Sequence, residues 1–320
     1  MKRVIITGGN GFVGRHLVRR LLINKQCSVV VVANKSNLMD RELKKTMPLT
    51  FHAADIRDRE TITNIFRDEE VDTCVHLAAK LSVVDSIKKP DETMDINVKG
   101  TLNVLEACHN SGVKNFVFAS SAAVYGDVKE LPISEDQTLR PLSPYGSSKM
   151  LAEQHVLSYK KQKKIQNTIS LRIFNVYGSG QTNESGVITK FATRLSKGLP
   201  PVIYGDGNHT RDFISVDDVV DAILLSIKAM EEPKNSHNYN FSSPVFNIGT
   251  GTATSIKELA QIMISISGLK LAPIYEKADH DMGVILHSYA NMTKAKYVLH
   301  FVAKKDFETG LREIIESVRV

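Results

Sequence analysis

Short apolar segments recur along the first half of the chain, and most are followed by a longer segment whose apolar residues recur every three or four positions. The run Val29-Val30-Val31-Val32 is typical of strands in a parallel sheet that helices cover on both faces. Because strands and helices alternate, we expect an α/β fold with a doubly wound, mostly parallel sheet. The pattern predicts strands at 3–7, 28–33, 49–53, 73–77, 115–120 and 168–173, and helices at about 11–23, 59–68, 93–110 and 144–161.

The second half of the chain lacks this regular alternation, because glycine and proline interrupt it repeatedly. Two later segments regain the sheet pattern, a helix at 216–228 and a strand at 245–248. We therefore expect residues 1–176, with 213–249 returning to them, to form one domain. Residues 177–320 are expected to form a smaller α/β domain over the carboxyl ends of the strands, where open sheets bind ligands.

Composition and charge exclude several classes of function. The chain has 320 residues and a formal net charge of +6, which is modest for this length. The lysines at 160–164 lie at a predicted helix end without interleaved aromatic residues, so we expect no nucleic-acid partner. No apolar run is long enough to span a membrane and no signal peptide is evident, so we expect a cytoplasmic protein without a membrane partner. Cys27, Cys74 and Cys108 lie in apolar segments and are expected to be buried free thiols rather than a disulfide or a metal site.

The most informative motif follows the first predicted strand directly. The run Thr7-Gly8-Gly9-Asn10-Gly11-Phe12-Val13-Gly14 connects that strand to the first predicted helix. Glycines at such a turn let a phosphate approach the backbone N–H groups, and the positive end of the helix dipole then faces it. We therefore expect a dinucleotide here, with its pyrophosphate over the glycines.

Tyr145 and Lys149 are four residues apart at the start of a predicted helix, so both side chains point to the same face. A tyrosine with its ordinary pKa of about 10 is a poor base, and a nearby ammonium favours the phenolate. Ser121 follows the fifth predicted strand and can hydrogen-bond a substrate hydroxyl. We interpret these residues as an acid–base group for carbinol–carbonyl interconversion beside a nicotinamide. Tyr159 and Lys163 have the same spacing, but we interpret them as a helix surface.

At this point the chain resembles the extended short-chain dehydrogenase/reductases, with matching motifs in order along almost its whole length. Within them it most resembles the NAD-dependent epimerase/dehydratase branch, which acts on nucleotide-sugars, and the UDP-glucose 4-epimerases especially. The resemblance implies a Rossmann fold. The motifs that carry it are the glycine run, Asp55-Ile56, His76-Leu77-Ala78-Ala79, Asn97-Val98-Lys99-Gly100-Thr101, Ser120-Ser121-Ala122-Ala123-Val124-Tyr125-Gly126, Tyr145-Gly146-Ser147-Ser148-Lys149, Leu171-Arg172-Ile173-Phe174-Asn175, Gly205-Asp206-Gly207, Arg211-Asp212-Phe213, Val216-Asp217-Asp218-Val219 and Phe246-Asn247-Ile248-Gly249-Thr250-Gly251.

The resemblance also implies roles for individual residues. Tyr145 would be the catalytic base, Lys149 would tune it and hold the nicotinamide ribose, and Ser121 would bind the sugar hydroxyl that is oxidised. Asn97 would either contact the cofactor or support the fold of the site. The other residues implied to bind the cofactor are Gly8, Gly11, Phe12, Val13, Gly14, Asp55, Ile56, Leu77, Ala78, Ala79, Lys80 and Ser120. Those implied to bind the substrate, besides Ser121, are Asn175, Val187, Ile188, Tyr204 and Arg211, whereas Phe191 and Ile203 are expected in the core.

The activity implied by the resemblance is that of a nucleotide-sugar 4-epimerase acting through a transient 4-keto sugar on tightly bound NAD. The dehydratases of the family have an Asp-Glu pair directly after the residue that matches Ser121. Ala122 and Ala123 occupy these positions and cannot transfer protons, which argues against dehydration. Two alternatives stay open, an NAD(P)-dependent nucleotide-sugar reductase or dehydrogenase and a non-catalytic dinucleotide-binding protein. The family further implies a homodimer, formed through the helices at 93–110 and 144–161.

Two segments depart from the family pattern. The family has an acidic residue after the second strand for the adenosine ribose, whereas this chain has Asn34 and Lys35. These residues could hold a ribose hydroxyl or the 2′-phosphate of NADP, so NADP stays open beside the expected NAD. Asp281 stands where the epimerases have an arginine that clamps the substrate diphosphate. Either Lys277 or His280 serves instead, or the substrate is unusual.

Overall fold

The computed structural model describes residues 2–24, 27–34, 48–181, 186–231, 243–277 and 285–318. Its strands in chain order are β1 (Lys2–Thr7), β2 (Cys27–Ala33), β3 (Leu49–Ala53), β4 (Thr73–His76), β5 (Asn115–Ser121), β6 (Asn167–Ile173), β7 (Asn175–Tyr177), β8 (Val202–Tyr204), β9 (Thr210–Arg211), β10 (Phe213–Ser215), β11 (Val245–Ile248), β12 (Thr254–Ser255), β13 (Ile274–Glu276) and β14 (His287–Ser288). All six strands expected in the first half are confirmed, each bound agreeing within one residue.

The helices surround this framework. In chain order they are α1 (Phe12–Ile23), α2 (Arg59–Glu69), α3 (Val83–Lys88), α4 (Pro90–Met94), α5 (Gly100–Asn110), α6 (Pro144–Lys161), α7 (Val187–Ser196), α8 (Val216–Glu231), α9 (Ile256–Ser267), α10 (Thr293–Val298) and α11 (Phe307–Ser317). Among the residues that the structure describes, no helix is both long enough and apolar enough to cross a membrane.

The prediction of one regular helix over 93–110 is wrong, because the structure has two α-helices joined by a π-helical turn. The chain forms α4, then a π-helical turn over Asp95–Lys99, then α5. Pro90 occupies the first turn of α4 and fixes where that helix begins. The π turn contains Asn97, whose side chain bonds the backbone of Lys80 rather than pointing along a regular helix face. Such turns often occur at functional sites.

A seven-stranded parallel sheet with the order β11-β6-β5-β4-β1-β2-β3 lies at the centre of the fold, which confirms the expected α/β architecture. From β1 the chain builds one edge through β2 and β3 and then crosses to β4 on the other side. The crevice between β1 and β4 at their carboxyl ends is therefore the topological switch point, where open sheets bind ligands.

Successive residues of the strands enter opposite hydrophobic cores. Ile6 and Val31 belong to the cluster under α1 and α8, whereas Ile5 and Val30 belong to the cluster under α2, α5 and α6. Both faces of the sheet are therefore covered, as the continuous apolar runs predict. The three cysteines are buried and free, as expected.

A second region is built from the later part of the chain. Three small sheets, β10-β7, β12-β9-β14 and β13-β8, accompany the helices α7, α9 and α11. These helices share a hydrophobic core of their own, which contains Phe191, Leu259 and Met263. The strand β11, in contrast, pairs with β6 in the large sheet.

A buried ion pair fixes α6 against the sheet. Arg172 on β6 and Glu153 on α6 lie 2.6 Å apart, with side chains only 6% and 1% exposed. Arg172 also donates a hydrogen bond of 3.0 Å to the Tyr125 hydroxyl, which donates one of 2.6 Å to the Asn247 side chain. The pair and its hydrogen bonds tie α6 to β6, the turn after β5 and β11.

We expect Glu153→Gln to lower the free energy of unfolding by about 3–5 kcal/mol, because it leaves the buried Arg172 charge uncompensated. Asp68→Asn, which breaks the exposed pair with Arg67, serves as the control and should cost less than about 1 kcal/mol. Urea unfolding curves of the two variants measure both values. Equal losses in the two variants would contradict this account of α6.

Candidate active site

The turn between β1 and α1 is closed so tightly that it leaves no room for side chains at Gly8 and Gly14. Gly8 has φ of 72°, and its N–H donates to the Val32 carbonyl at 2.7 Å. A Cβ on Gly8 would lie 2.7 Å from the Ala78 nitrogen, and one on Gly14 would lie 2.3 Å from the Gly8 oxygen. Both positions therefore require glycine.

The first turn of α1 has backbone donors to offer. Its N-cap residue, Gly11, makes no side-chain capping bond, and the turn contains no acidic residue. The helix dipole places partial positive charge there, together with the N–H groups of Phe12, Val13 and Gly14. The closed glycine turn and the uncapped helix fit the pyrophosphate of a dinucleotide.

The segment after β4 runs beside this turn. The Leu77 N–H donates to the Thr7 carbonyl at 3.0 Å, and the Ala78 nitrogen lies against Gly8, so this segment begins beside the glycine turn. Asn97 accepts from the Lys80 N–H at 2.8 Å and donates to the Lys80 carbonyl at 3.1 Å and to the Ser148 hydroxyl at 2.9 Å. Its amide is thus committed to holding this segment, which favours the supporting role over direct cofactor contact.

The residues expected at the adenosine end lie on two loops. Asn34 follows β2 and is exposed, and Lys35 lies outside the described residues. The Asp55 carboxylate receives hydrogen bonds from the Arg57 side chain at 2.7 and 3.0 Å, which hold the Asp55 pKa below its usual range. Ile56 is buried beneath α5, where a Cβ on Gly100 would lie 2.6 Å from it.

The three residues expected to act together lie close to one another. The Tyr145 hydroxyl lies close enough to the Ser121 side chain for Ser121 to lower the Tyr145 pKa, and Lys149 follows one turn later on α6. Ser143 caps α6 by accepting from the Gly146 N–H at 3.1 Å, and Pro144 begins the helix. The cap and the proline explain why the helix begins at Pro144.

Burial changes the electrostatics expected for the pair. Tyr145 and Lys149 are only 9% and 4% exposed. Burial raises the Tyr145 pKa, and the neighbouring Ser121 side chain partly offsets this rise, so the protein without cofactor favours the neutral phenol. Burial also lowers the Lys149 pKa to about 7 against the opposing effect of Glu153. Both shifts arise because a site with little water disfavours either charge.

Two serines with no role expected from the sequence hold the backbone of Tyr145. The Ser86 hydroxyl accepts from the Tyr145 N–H at 3.1 Å, and Ser148 donates to the Tyr145 carbonyl at 2.7 Å. Ser148 belongs to the motif Tyr145-Gly146-Ser147-Ser148-Lys149, which is the sequence signal that could have pointed to it. Tyr159 and Lys163 do not share a helix face, because α6 ends at Lys161.

Apart from Ser121 on β5, the residues expected to bind the substrate lie outside the large sheet, on β7, β8, β9 and α7. Arg211 on β9 donates to the Thr210 carbonyl at 2.8 Å, and burial lowers the Arg211 pKa. Asn175 on β7 is exposed, and Tyr204 on β8 is 56% exposed.

The helix α7 begins with two of the expected substrate residues, Val187 and Ile188, and its N-cap residue makes no side-chain capping bond. The Ile188 side chain is buried, so only its backbone is available to a ligand. Phe191 and Ile203 lie in the core, as expected. Lys277 is exposed at the end of a described segment, and His280 and Asp281 lie outside the described residues.

The chain is similar in sequence and in structure to known nucleotide-sugar epimerases over almost its whole length. The model of the NAD dependent epimerase/dehydratase family matches residues 4–249. The UDP-glucose 4-epimerase of Lactobacillus helveticus is 33% identical over 320 residues, covering 95% of this chain and 93% of its own. The structure of the UDP-glucose 4-epimerase of Thermotoga maritima with UDP-glucose is 34% identical, with a TM-score of 0.88 over 99% of this chain and 98% of its own. The structure of the UDP-glucuronic acid 4-epimerase of Bacillus cereus with UDP-glucuronic acid and NAD is 26% identical, with a TM-score of 0.86 over 99% and 98%.

We expect Gly14→Ala to weaken NAD binding by about 5- to 150-fold, which corresponds to about 1–3 kcal/mol of overpacking in the glycine turn. Gly186→Ala is the matched control, because its Cβ would meet nothing nearer than 3.4 Å. Isothermal titration of nucleotide-free protein with NAD measures both affinities. If the two variants bound NAD like the parent protein, the glycine turn would not be the pyrophosphate site.

Proposed function

Because the chain belongs to the NAD-dependent epimerase/dehydratase family, we propose that it is a nucleotide-sugar 4-epimerase of the UDP-glucose/UDP-galactose type. The observation that carries this proposal is the position of the Tyr145 hydroxyl beside Ser121, close enough for Ser121 to lower the Tyr145 pKa, with Lys149 one turn along the same helix. This group lies at the end of β5, in the sheet whose switch point holds the glycine turn. NAD supplies hydride acceptance and return at the sugar C4.

The side chains of this chain perform the proton transfer. Ser121 binds the C4 hydroxyl of the sugar and Tyr145 removes its proton, giving a transient 4-keto sugar when the C4–H bond is also broken. The Lys149 ammonium stabilises the phenolate of Tyr145, which burial alone disfavours. Tyr145 returns the proton when the sugar is reduced from its other face.

The residues after Ser121 favour epimerisation over dehydration. Ala122 and Ala123 form the first turn after β5, and the Ala123 N–H donates to the Ser121 hydroxyl at 3.2 Å. Neither alanine can protonate or deprotonate a sugar carbon or leaving group. The chain therefore has the proton-transfer group that an epimerase needs, without the second pair of a dehydratase.

We propose that residues 177–320 form the substrate-binding domain. Residues 1–176 form the dinucleotide-binding domain, to which residues 213–249 return. The N–H groups at the start of α7 and the Arg211 guanidinium offer donors for a diphosphate. The relatives support a UDP-sugar, and their sugars include both glucose and glucuronic acid. We further propose a cytoplasmic homodimer that pairs through α5 and α6.

We expect Tyr145→Phe to lower kcat by about 100- to 10,000-fold while NAD stays bound, because only the proton-transfer group is removed. Tyr159→Phe, on the same helix, is the control and should leave kcat unchanged. Inversion of UDP-glucose to UDP-galactose is followed by chromatography, and bound NAD is quantified after denaturation. Unchanged turnover of the Tyr145→Phe protein would remove Tyr145 from the mechanism.

We expect deuterium at C4 of UDP-glucose to be retained in the UDP-galactose product, with no net consumption of cofactor. The reason is that an epimerase returns the same hydrogen to the same carbon. Mass spectrometry of the product and the absorbance of NADH measure the two quantities, with UDP-N-acetylglucosamine and UDP-glucuronic acid as parallel substrates. Stoichiometric formation of NADH without inversion would instead identify a dehydrogenase.

A further inference from the structure

The Lys149 ammonium is held by an aromatic ring that the mechanism above does not use. The Lys149 Nζ lies 4.4 Å from the centroid of the Phe118 ring. Phe118 is on β5, three residues before Ser121, and its side chain is fully buried. Over the face of a ring, a cation is attracted by the negative charge of the π system.

The ring is itself fixed in place. His76 lies opposite Phe118 in the register between β4 and β5, and the two rings stack with centroids 5.8 Å apart and planes 21° apart. The His76 imidazole bonds the hydroxyls of Thr7 at 2.6 Å and Thr101 at 2.9 Å. Burial and the nearby Lys149 charge lower the His76 pKa to about 3, so this imidazole is neutral at physiological pH.

The titratable groups around Lys149 do not compensate its charge as an ion pair would. Tyr145 and Glu153 lie on the same helix, His76 on β4 and Arg172 on β6. The Glu153 carboxylate is engaged by Arg172 through hydrogen bonds of 2.6 and 3.1 Å. A carboxylate placed directly on the Lys149 Nζ would stabilise the ammonium, but it would also cancel the field of that ammonium at Tyr145. An aromatic face stabilises the cation without adding a net charge.

We propose that Phe118 is a positioning residue whose ring face keeps the Lys149 side chain charged and in place beside Tyr145. The proposal rests on the proposed function for the use of that charge. The cation–π interaction that stabilises the buried ammonium is present in the protein without substrate. The interaction therefore can be measured even if the chain epimerises none of the sugars tested.

The test replaces Phe118 by fluorinated phenylalanines with one, two and three ring fluorines, which weaken the π face stepwise at nearly constant volume. The same series at Phe116 is the control, because that ring also neighbours His76, at 6.0 Å, but has no contact with the Lys149 ammonium in the described structure. The Lys149 pKa is read by NMR of carbon-13-labelled lysine in the full chain, with Lys149→Arg assigning the signal. Circular dichroism verifies that each protein is folded.

We expect the Lys149 pKa to fall stepwise with fluorination at Phe118, by about 0.4 to 1.5 for complete loss of the interaction. Fluorination at Phe116 should leave it unchanged. If an active sugar substrate is known, the pH profile of kcat should move with the Lys149 pKa while KM stays constant. A constant Lys149 pKa across the Phe118 series, or equal shifts in the two series, would overturn the proposal.

Discussion

In the mechanism that we propose, the Lys149 ammonium must stay charged in a place where there is little water. Lys149 and Tyr145 are both buried, and burial disfavours the charged form of each. The same loss of water strengthens the attraction between an ammonium and a phenolate, since the effective dielectric constant is lower than in solvent. The surroundings of Lys149, an aromatic face, a neutral imidazole and a carboxylate already paired with an arginine, let that attraction act on the tyrosine.

The helix α6 carries both Tyr145, which we propose to react, and Glu153, which anchors the helix to the sheet. Tyr145 lies in its first turn, and Glu153 lies about two turns later. The ion pair of Glu153 with Arg172 ties the helix to β6, while Ser86 and Ser148 bind the backbone of Tyr145. The position of the phenol is therefore set by buried polar contacts along the helix rather than by the reacting groups alone. Polar groups with satisfied hydrogen bonds in a buried site allow few alternative arrangements.

In the site that we propose, the cofactor side and the substrate side use different parts of the chain for recognition. On the cofactor side the donors belong to the backbone, and the glycines matter because any Cβ at Gly8 or Gly14 would collide with neighbouring backbone atoms. On the substrate side, Arg211 and Tyr204 offer side chains from short strands of the second region. Binding by backbone groups requires glycines at fixed positions within one short segment of the sequence. Binding by side chains requires suitable residues only at positions that folding brings together, and these can be far apart in the sequence.

The sequence by itself determined the α/β sheet, its first six strands and the glycine turn, because apolar periodicity and the steric needs of glycine are local properties of the chain. It also brought forward Tyr145 and Lys149, since residues four apart on a helix share a face. Only the tertiary structure decided that the helix expected at 93–110 is interrupted by a π turn, because that turn serves the contact of Asn97 with Lys80. The tertiary structure also decided the direction of the Tyr145 pKa, since desolvation depends on everything packed around a group and no local pattern records it.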